Sequence, residues 1–301
     1  MTTGEKPVVV LRSRDDNSRN ATTSPGPLPE SGSLHQTNAV PAAHSAYPVQ
    51  QPRHNTTSQS LVSDPNKSKL GPIPEMKQGL KIIDENFRWV DTGIDWLLDQ
   101  NDFLVVGVLG TQGVGKSTIL SFLAGNSAQD AYRNYVFQPE NREMREDALH
   151  QTMGVEMFAS PERIIFLDSQ ALLSASVLDL VIQQEKKFPV EYSSAENYVE
   201  MQSLQLASFL MTVCHVVIVA QDWFADLTLL RSILTAEMLK PQTHAASTTQ
   251  DTPQEENQEY YPTVMFLLNK AREEDFSPQN FKDMKMTIGT IFQSSKLHYK
   301  G

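Results

Sequence analysis

Phe103-Leu-Val-Val-Gly-Val-Leu109 runs directly into Gly110-Thr-Gln-Gly-Val-Gly-Lys-Ser117, and Thr118-Ile-Leu-Ser-Phe-Leu-Ala-Gly125 follows. The first stretch is a continuous apolar run of the length and composition of a buried strand, and the third has the spacing of an amphipathic helix. The middle stretch matches the phosphate-loop pattern GxxxxGK[ST] at every fixed position. In that pattern the glycines let successive backbone N–H groups turn inward towards phosphates. The helix behind them adds the positive end of its dipole. Gly110, Thr111, Gln112, Gly113, Val114, Gly115, Lys116, Ser117 and Thr118 are therefore the expected nucleotide-binding residues. Lys116 would reach the outer phosphates, and the Ser117 hydroxyl would bind Mg²⁺.

Further apolar runs of the same character lie downstream: Arg163–Leu167, Val213–Ala220 and Thr263–Leu268, with a shorter strand expected at Val155–Ala159. Helical patterns separate them, at Lys116–Gly125, Ala171–Lys187, Ala195–Met211 and Ala225–Leu239. Buried strands alternating with helices predict an α/β fold, a P-loop domain with a mostly parallel sheet covered on both faces. Asp168 closes the run Arg163-Ile-Ile-Phe-Leu, the place where such domains hold Mg²⁺ directly or through water. The alternative for Asp168 is to cap the next helix. Thr152, just before the strand at Val155, is placed to sense an outer phosphate and ligate the metal. The metal set is then Ser117, Thr152 and Asp168.

The remainder of the chain bounds the class. The 301 residues carry 25 basic and 36 acidic side chains, a net charge of −11 and a pI near 5.1. An acidic body repels phosphate at long range, which argues against sequence-specific nucleic-acid binding or an anionic membrane surface. One cysteine, Cys214, excludes a disulfide framework and multi-cysteine zinc. It is expected in mid-strand as an inert thiol. Residues 1–75 hold ten of the 17 prolines and a single aromatic residue, Tyr47. They form the expected disordered tail, in which Lys6–Arg14 alone has the look of a short strand. Residues 76–100 carry apolar side chains at helical spacing (Leu80, Ile83, Phe87, Val90, Ile94, Leu97, Leu98) and are expected to form an amphipathic helical segment. The P-loop domain spans 101–301, with a polar insertion at 241–261. Trp223 and Phe224 follow a strand end, on the side where open α/β sheets bind ligands and partners.

In order along the chain, phosphate loop, Thr152, Asp168 and Asn269-Lys270 resemble the guanine-nucleotide motifs of a GTPase, between Phe103 and Arg272. Asn269 and Lys270 join the nucleotide-binding set on that likeness. Two motifs depart from it. The DxxG glycine is Ala171, and the following position, where a glutamine orients water in Ras-like enzymes, is Leu172. Leucine cannot position water. The base-reading aspartate is Arg272, which has donors only and cannot accept from a guanine ring. ATP and GTP both stay open.

At finer grain, FLVVGVLGTQGVGKSTILSFLAGN, HQTMGVEMF, ERIIFLDSQ and FLLNKAREEDF resemble the family of G-domain-like factors of nonsense-mediated mRNA decay. The tail KPVVVLRSRD and the stretch KIIDENFRWVDTGIDWLLDQ are similar to it too. The resemblance implies a nucleotide-binding, hydrolysis-poor cytoplasmic subunit that scaffolds a phosphatidylinositol-3-kinase-like protein kinase together with a second G-like subunit. An active divergent GTPase or ATPase is the alternative. It also implies one more strand and a closing helix after Asn269-Lys270. Phe276–His298 reads as a single amphipathic helix, so those final elements are expected to be missing.

Overall fold

The computed structural model describes residues 75–97, 102–183, 191–243 and 259–300. The tail with its Lys6–Arg14 run, and residues 244–258 of the polar insertion, lie outside the described residues.

The first described elements are β1 (Leu80–Ile83) and the single turn α1 (Thr92–Asp95). Next come β2 (Leu104–Leu109), α2 (Lys116–Leu123) and α3 (Arg142–Glu146). The middle holds β3 (Val155–Ala159), β4 (Ile164–Ser169), α4 (Ala175–Gln183), α5 (Ala195–Val213) and β5 (Val216–Gln221). It ends with α6 (Leu227–Leu239), β6 (Thr263–Leu268), α7 (Pro278–Ile291) and β7 (His298–Lys300). Among the described residues the strands form one sheet in the order β1-β3-β4-β2-β5-β6-β7. β2 pairs in parallel with β4 and β5, β6 with β5 and β7; β3 runs antiparallel to β4, and β1 to β3. This is the mostly parallel P-loop sheet expected from the sequence, with the strand that feeds the phosphate loop at its centre.

The central strands are apolar on both faces because both faces are covered. Val108, Leu109, Val217 and Val219 are wholly buried, as are Leu210 and Met211 of α5 and Leu229, Leu230 and Ile233 of α6. Each such side chain contributes about 1.5–3 kcal/mol by leaving water. α5 starts at Asn197's partner Ser194, whose Oγ accepts the Asn197 N–H at 3.3 Å, and α6 starts at Asp226, which accepts from Thr228 and Leu229. Among the described residues no helix is long and apolar enough to cross a membrane.

Three sequence expectations need correction. Of the segment 76–100, the described residues 76–97 do not form one helix. Leu80–Ile83 form an edge strand on β3, with Ile82 and Ile83 buried. The Asp84 carboxylate accepts from the Asn86 and Arg88 N–H groups at 2.9 and 2.8 Å, and Phe87 has φ 58°. A side-chain turn of this kind competes with the helix and ends it; the spacing of Ile83, Phe87 and Val90 belongs to a strand and its return. A strand does follow α7. His298, Tyr299 and Lys300 pair with Thr263, Val264 and Met265 as β7, and α7 stops at Ile291. Finally, Cys214 is not in mid-strand. It ends α5, donating its N–H to Leu210 O at 2.9 Å, and is fully buried. Burial pushes its thiol far above the usual range, so it is unreactive.

Candidate functional site

The phosphate loop leaves the C-terminal end of β2 and enters α2 at Gly115, which has φ 94° and leaves the helix without a side-chain cap. The first amides of α2 are thus kept from protein acceptors on their own side chain, as an anion site requires. A cavity of about 570 Å³ opens above them. Gly113, Gly115, Lys116, Ser117 and Thr118 line it from the loop, with Thr152, Asn269 and Lys270 from elsewhere.

Lys116 is 8% exposed, and its Nζ donates to Thr111 O at 3.1 Å. Burial lowers its pKa to about 8, against the opposing pull of Asp168 and Glu140. An ammonium held this way has most of its hydration stripped already, so an added phosphate meets it at little further desolvation.

Three residues proposed for the metal, far apart in sequence, meet beside it. Ser117 Oγ donates to Asp168 Oδ2 at 2.7 Å, Thr152 Oγ1 donates to the same oxygen at 3.0 Å, and the two hydroxyls are 3.3 Å apart. The alternative role for Asp168, a helix cap, is not the one its carboxylate takes. Asp168 is 1% exposed, and burial raises its pKa despite the two hydroxyl donors and Lys116. Its other oxygen, Oδ1, is buried and takes no hydrogen bond of normal geometry. A buried carboxylate oxygen without a partner beside two hydroxyls suits a hard cation with oxygen ligands. No group of three His, Cys, Asp or Glu side chains among the described residues makes a metal cage alone. Mg²⁺ here would need phosphate and water oxygens as well, its usual habit.

Asn269 and Lys270 act on the loop itself. Asn269 Nδ2 donates to Val114 O at 2.7 Å, and Lys270 Nζ to Gly113 O at 2.8 Å and Asp222 at 3.3 Å. A Cβ on Gly115 would stand 2.6 Å from Asn269 Nδ2, so glycine is what admits the clip. Asn269→Ala should free the Val114 carbonyl, lowering the melting free energy by about 1–2 kcal/mol. Nucleotide affinity should fall about tenfold with it, read by thermal unfolding and by titration.

The two departures from the GTPase pattern have structural outcomes. Leu172 is 1% exposed, and its N–H donates to Gly110 O at 3.1 Å. Gln170 is 4% exposed and committed to Gly154 through both its main chain and Oε1. Neither faces the cavity. Arg272 has only donors on its side chain; its main-chain N–H donates to Asp275 Oδ2 at 2.7 Å, and its carbonyl accepts the Asp275 N–H at 3.1 Å. It lines a second cavity with Trp223 and Phe224, and Trp223 is 76% exposed.

Sequence reasoning missed other wall residues, Glu140, His150 and Gln151 among them. They sit on the polar stretch between α2 and β3. Asn126 folds that stretch back by accepting from Val136 N and donating to Asn134 O, and Phe137 is fully buried. No spacing signal marks such residues.

No family model matches the chain. Among curated proteins it is 43% identical over 304 residues to nonsense-mediated mRNA decay factor SMG9 of Xenopus tropicalis and 42% over 303 residues to that of Salmo salar. Each alignment takes in 99% of this chain and 60% of the relative. Identity to SMG9 of Caenorhabditis elegans is 28% over 221 residues, covering 73% of the chain and 54% of the relative. The chain thus spans about 60% of the length of its vertebrate relatives. Among solved structures, a dimerization-deficient mutant of Toc33 from Arabidopsis thaliana aligns at 15% identity over 65% of this chain and 68% of that one. The TM-score of that alignment is 0.33.

Proposed function

Along 99% of its length the chain belongs with the SMG9 nonsense-mediated mRNA decay factors, of which it spans about 60%, and on that premise we propose a nucleotide-binding, hydrolysis-poor subunit of a cytoplasmic protein kinase complex. The observation that carries the nucleotide part is the convergence of Lys116, Ser117 and Thr152 on one cavity, with Asp168 bonded to both hydroxyls. The amides of Gly113 to Lys116 and the Lys116 ammonium would hold the phosphates of ATP or GTP. Ser117, Thr152 and Asp168 would hold Mg²⁺, which supplies neutralising charge to those phosphates. Asn269 and Lys270 fix the loop that does the holding.

Poor hydrolysis follows from what fills the water-orienting position. Leu172 is in the core, and Gln170 is bonded to Gly154. Neither supplies the amide that aligns an attacking water, a loss worth orders of magnitude in turnover. A nucleotide that stays bound is then structural, since a ligand held by the folded state alone adds about 4 kcal/mol at a thousandfold excess over Kd. The kinase and the second G-like subunit enter from the family likeness, as partners that such a fixed domain would scaffold.

Purified protein titrated with ATP and with GTP in Mg²⁺ should bind one or both with flat turnover. Ser117→Ala should remove most of the Mg²⁺ dependence of binding. Turnover that disappears with Lys116→Ala would overturn the hydrolysis-poor reading. Affinity purification from cell extract should recover a phosphatidylinositol-3-kinase-like kinase and a second G-like protein; recovery of neither would sink the scaffold role.

A further inference from the structure

Two segments beside the phosphate loop are tied to it by side-chain hydrogen bonds. Gln112, third residue of the phosphate loop, is their hub. Its Nε2 donates to Leu149 O at 2.8 Å, and its Oε1 accepts from Ser174 Oγ and from Ser176 Oγ, each at 2.8 Å. The two serine hydroxyls are themselves 2.8 Å apart, and Ser176 Oγ lies 2.8 Å from His150 Nδ1. Leu172 N–H on Gly110 O closes the same segment onto the loop from its other end. Gln170 and Gly154 exchange bonds just upstream. Residues 149–154 and 170–176 are therefore moored to the phosphate loop and to each other, and Ser174 is 3% exposed.

These two segments are the ones that, in a nucleotide switch, are ordered by the outer phosphate and its metal. A ligand group shifts a segment only by as much as its contacts differ between the segment's two positions. Where protein side chains already fix the position, that difference is small. We infer that Gln112 is a specificity-determining residue, whose bonds to Leu149, Ser174 and Ser176 make the site bind nucleoside diphosphate and triphosphate nearly alike. The inference rests on the nucleotide-binding reading and deepens it: the bound state is set by the inner phosphates, and the domain does not switch on the outer one. Gln112 acts here as a positioning residue, since the loop's backbone amides and Lys116 meet the phosphates.

The test compares the full chain, its Gln112→Ala variant and a Ser174→Ala/Ser176→Ala variant. Binding of ADP, GDP and their β,γ-imido triphosphates is measured in Mg²⁺. In the unchanged protein, diphosphate and triphosphate affinities should agree within about threefold. In both variants the released segments gain contacts only with the triphosphate, and preference for it should rise by about tenfold, within the usual span of coupling between sites. A tenfold or greater triphosphate preference in the unchanged protein would overturn the inference, as would a ratio indifferent to both variants. Amide hydrogen exchange of residues 149–154 and 170–176, read without nucleotide, gives the independent arm. Protection should be present in the unchanged chain and lost in both variants, and equal exchange in all three would sink the mooring. Failure of every nucleotide to bind while that protection is lost as expected would count against the nucleotide-binding reading alone; the mooring stands or falls by exchange.

Discussion

Lys116→Met is expected to abolish nucleotide binding and, at neutral pH, to make the nucleotide-free protein more stable. The two effects have one origin. The Lys116 ammonium is buried, with one carbonyl as its hydrogen-bond acceptor, and burial has lowered its pKa from the ordinary 10.5 to about 8. At about 1.4 kcal/mol per pKa unit, keeping it charged at pH 7 costs the folded state at most about 3–4 kcal/mol. The sign is that of a base with a depressed folded pKa. Below pH 8 the penalty is present in full; between pH 8 and 10.5 the unfolded chain binds more protons than the folded one, so stability rises with pH and the penalty is relieved. Methionine fills similar space without the charge. The variant should therefore melt several degrees higher at pH 7, and the gain should fade as pH approaches 10.5. Binding should fall at least a hundredfold, because phosphates lose their one buried cation. Equal melting points at pH 7 would show that the ammonium is not strained in the fold; unchanged affinity would show that phosphates bind elsewhere.

Gly154→Ala should be among the most damaging single changes in the chain. Gly154 has φ 68°, and a Cβ there would stand 2.1 Å from Ile83 O and 2.7 Å from Asp84 O. Both obstacles are backbone, so no side-chain rotation relieves them. Left-handed strain alone costs about 1 kcal/mol, and the clash must move β1 or the start of β3, for a total of about 3–4 kcal/mol. The site should suffer with the fold, since Thr152 and the Gln170 bond lie on the displaced stretch. Gly125→Ala is the control: φ is 108°, yet nothing lies within 4 Å of its added Cβ. Thermal or urea unfolding should show a loss for Gly125→Ala about a third as large. If the two variants melt together, β1 does not press on Gly154 as described.

These two residues also mark how far the sequence could be read. Lys116 was legible because the phosphate loop is local: eight consecutive residues, an apolar strand before and a helix after, fix backbone and chemistry together. The same holds for the parallel sheet, since β2, β4, β5 and β6 are each apolar over most of their length. Gly154 was legible only as a glycine. What it accommodates, the carbonyls of Ile83 and Asp84, lies some 70 residues away in a stretch whose spacing imitates a helix. Short apolar runs carry either period equally well, and only the side-chain turn at Asp84 and pairing with β3 decide for a strand.

The sequence by itself determined the phosphate loop, the order of strands and helices around it, and the identity of the residues lost from the GTPase pattern. The tertiary structure alone decided that Ser117, Thr152 and Asp168 meet within one hydrogen-bonded cluster, that Asn269 and Lys270 clip the loop, and that Gln112 moors two segments to it. A local pattern is set by backbone propensity and burial over neighbouring residues. A hydrogen bond between side chains tens of residues apart depends on where packing places them, and no spacing along the chain encodes that.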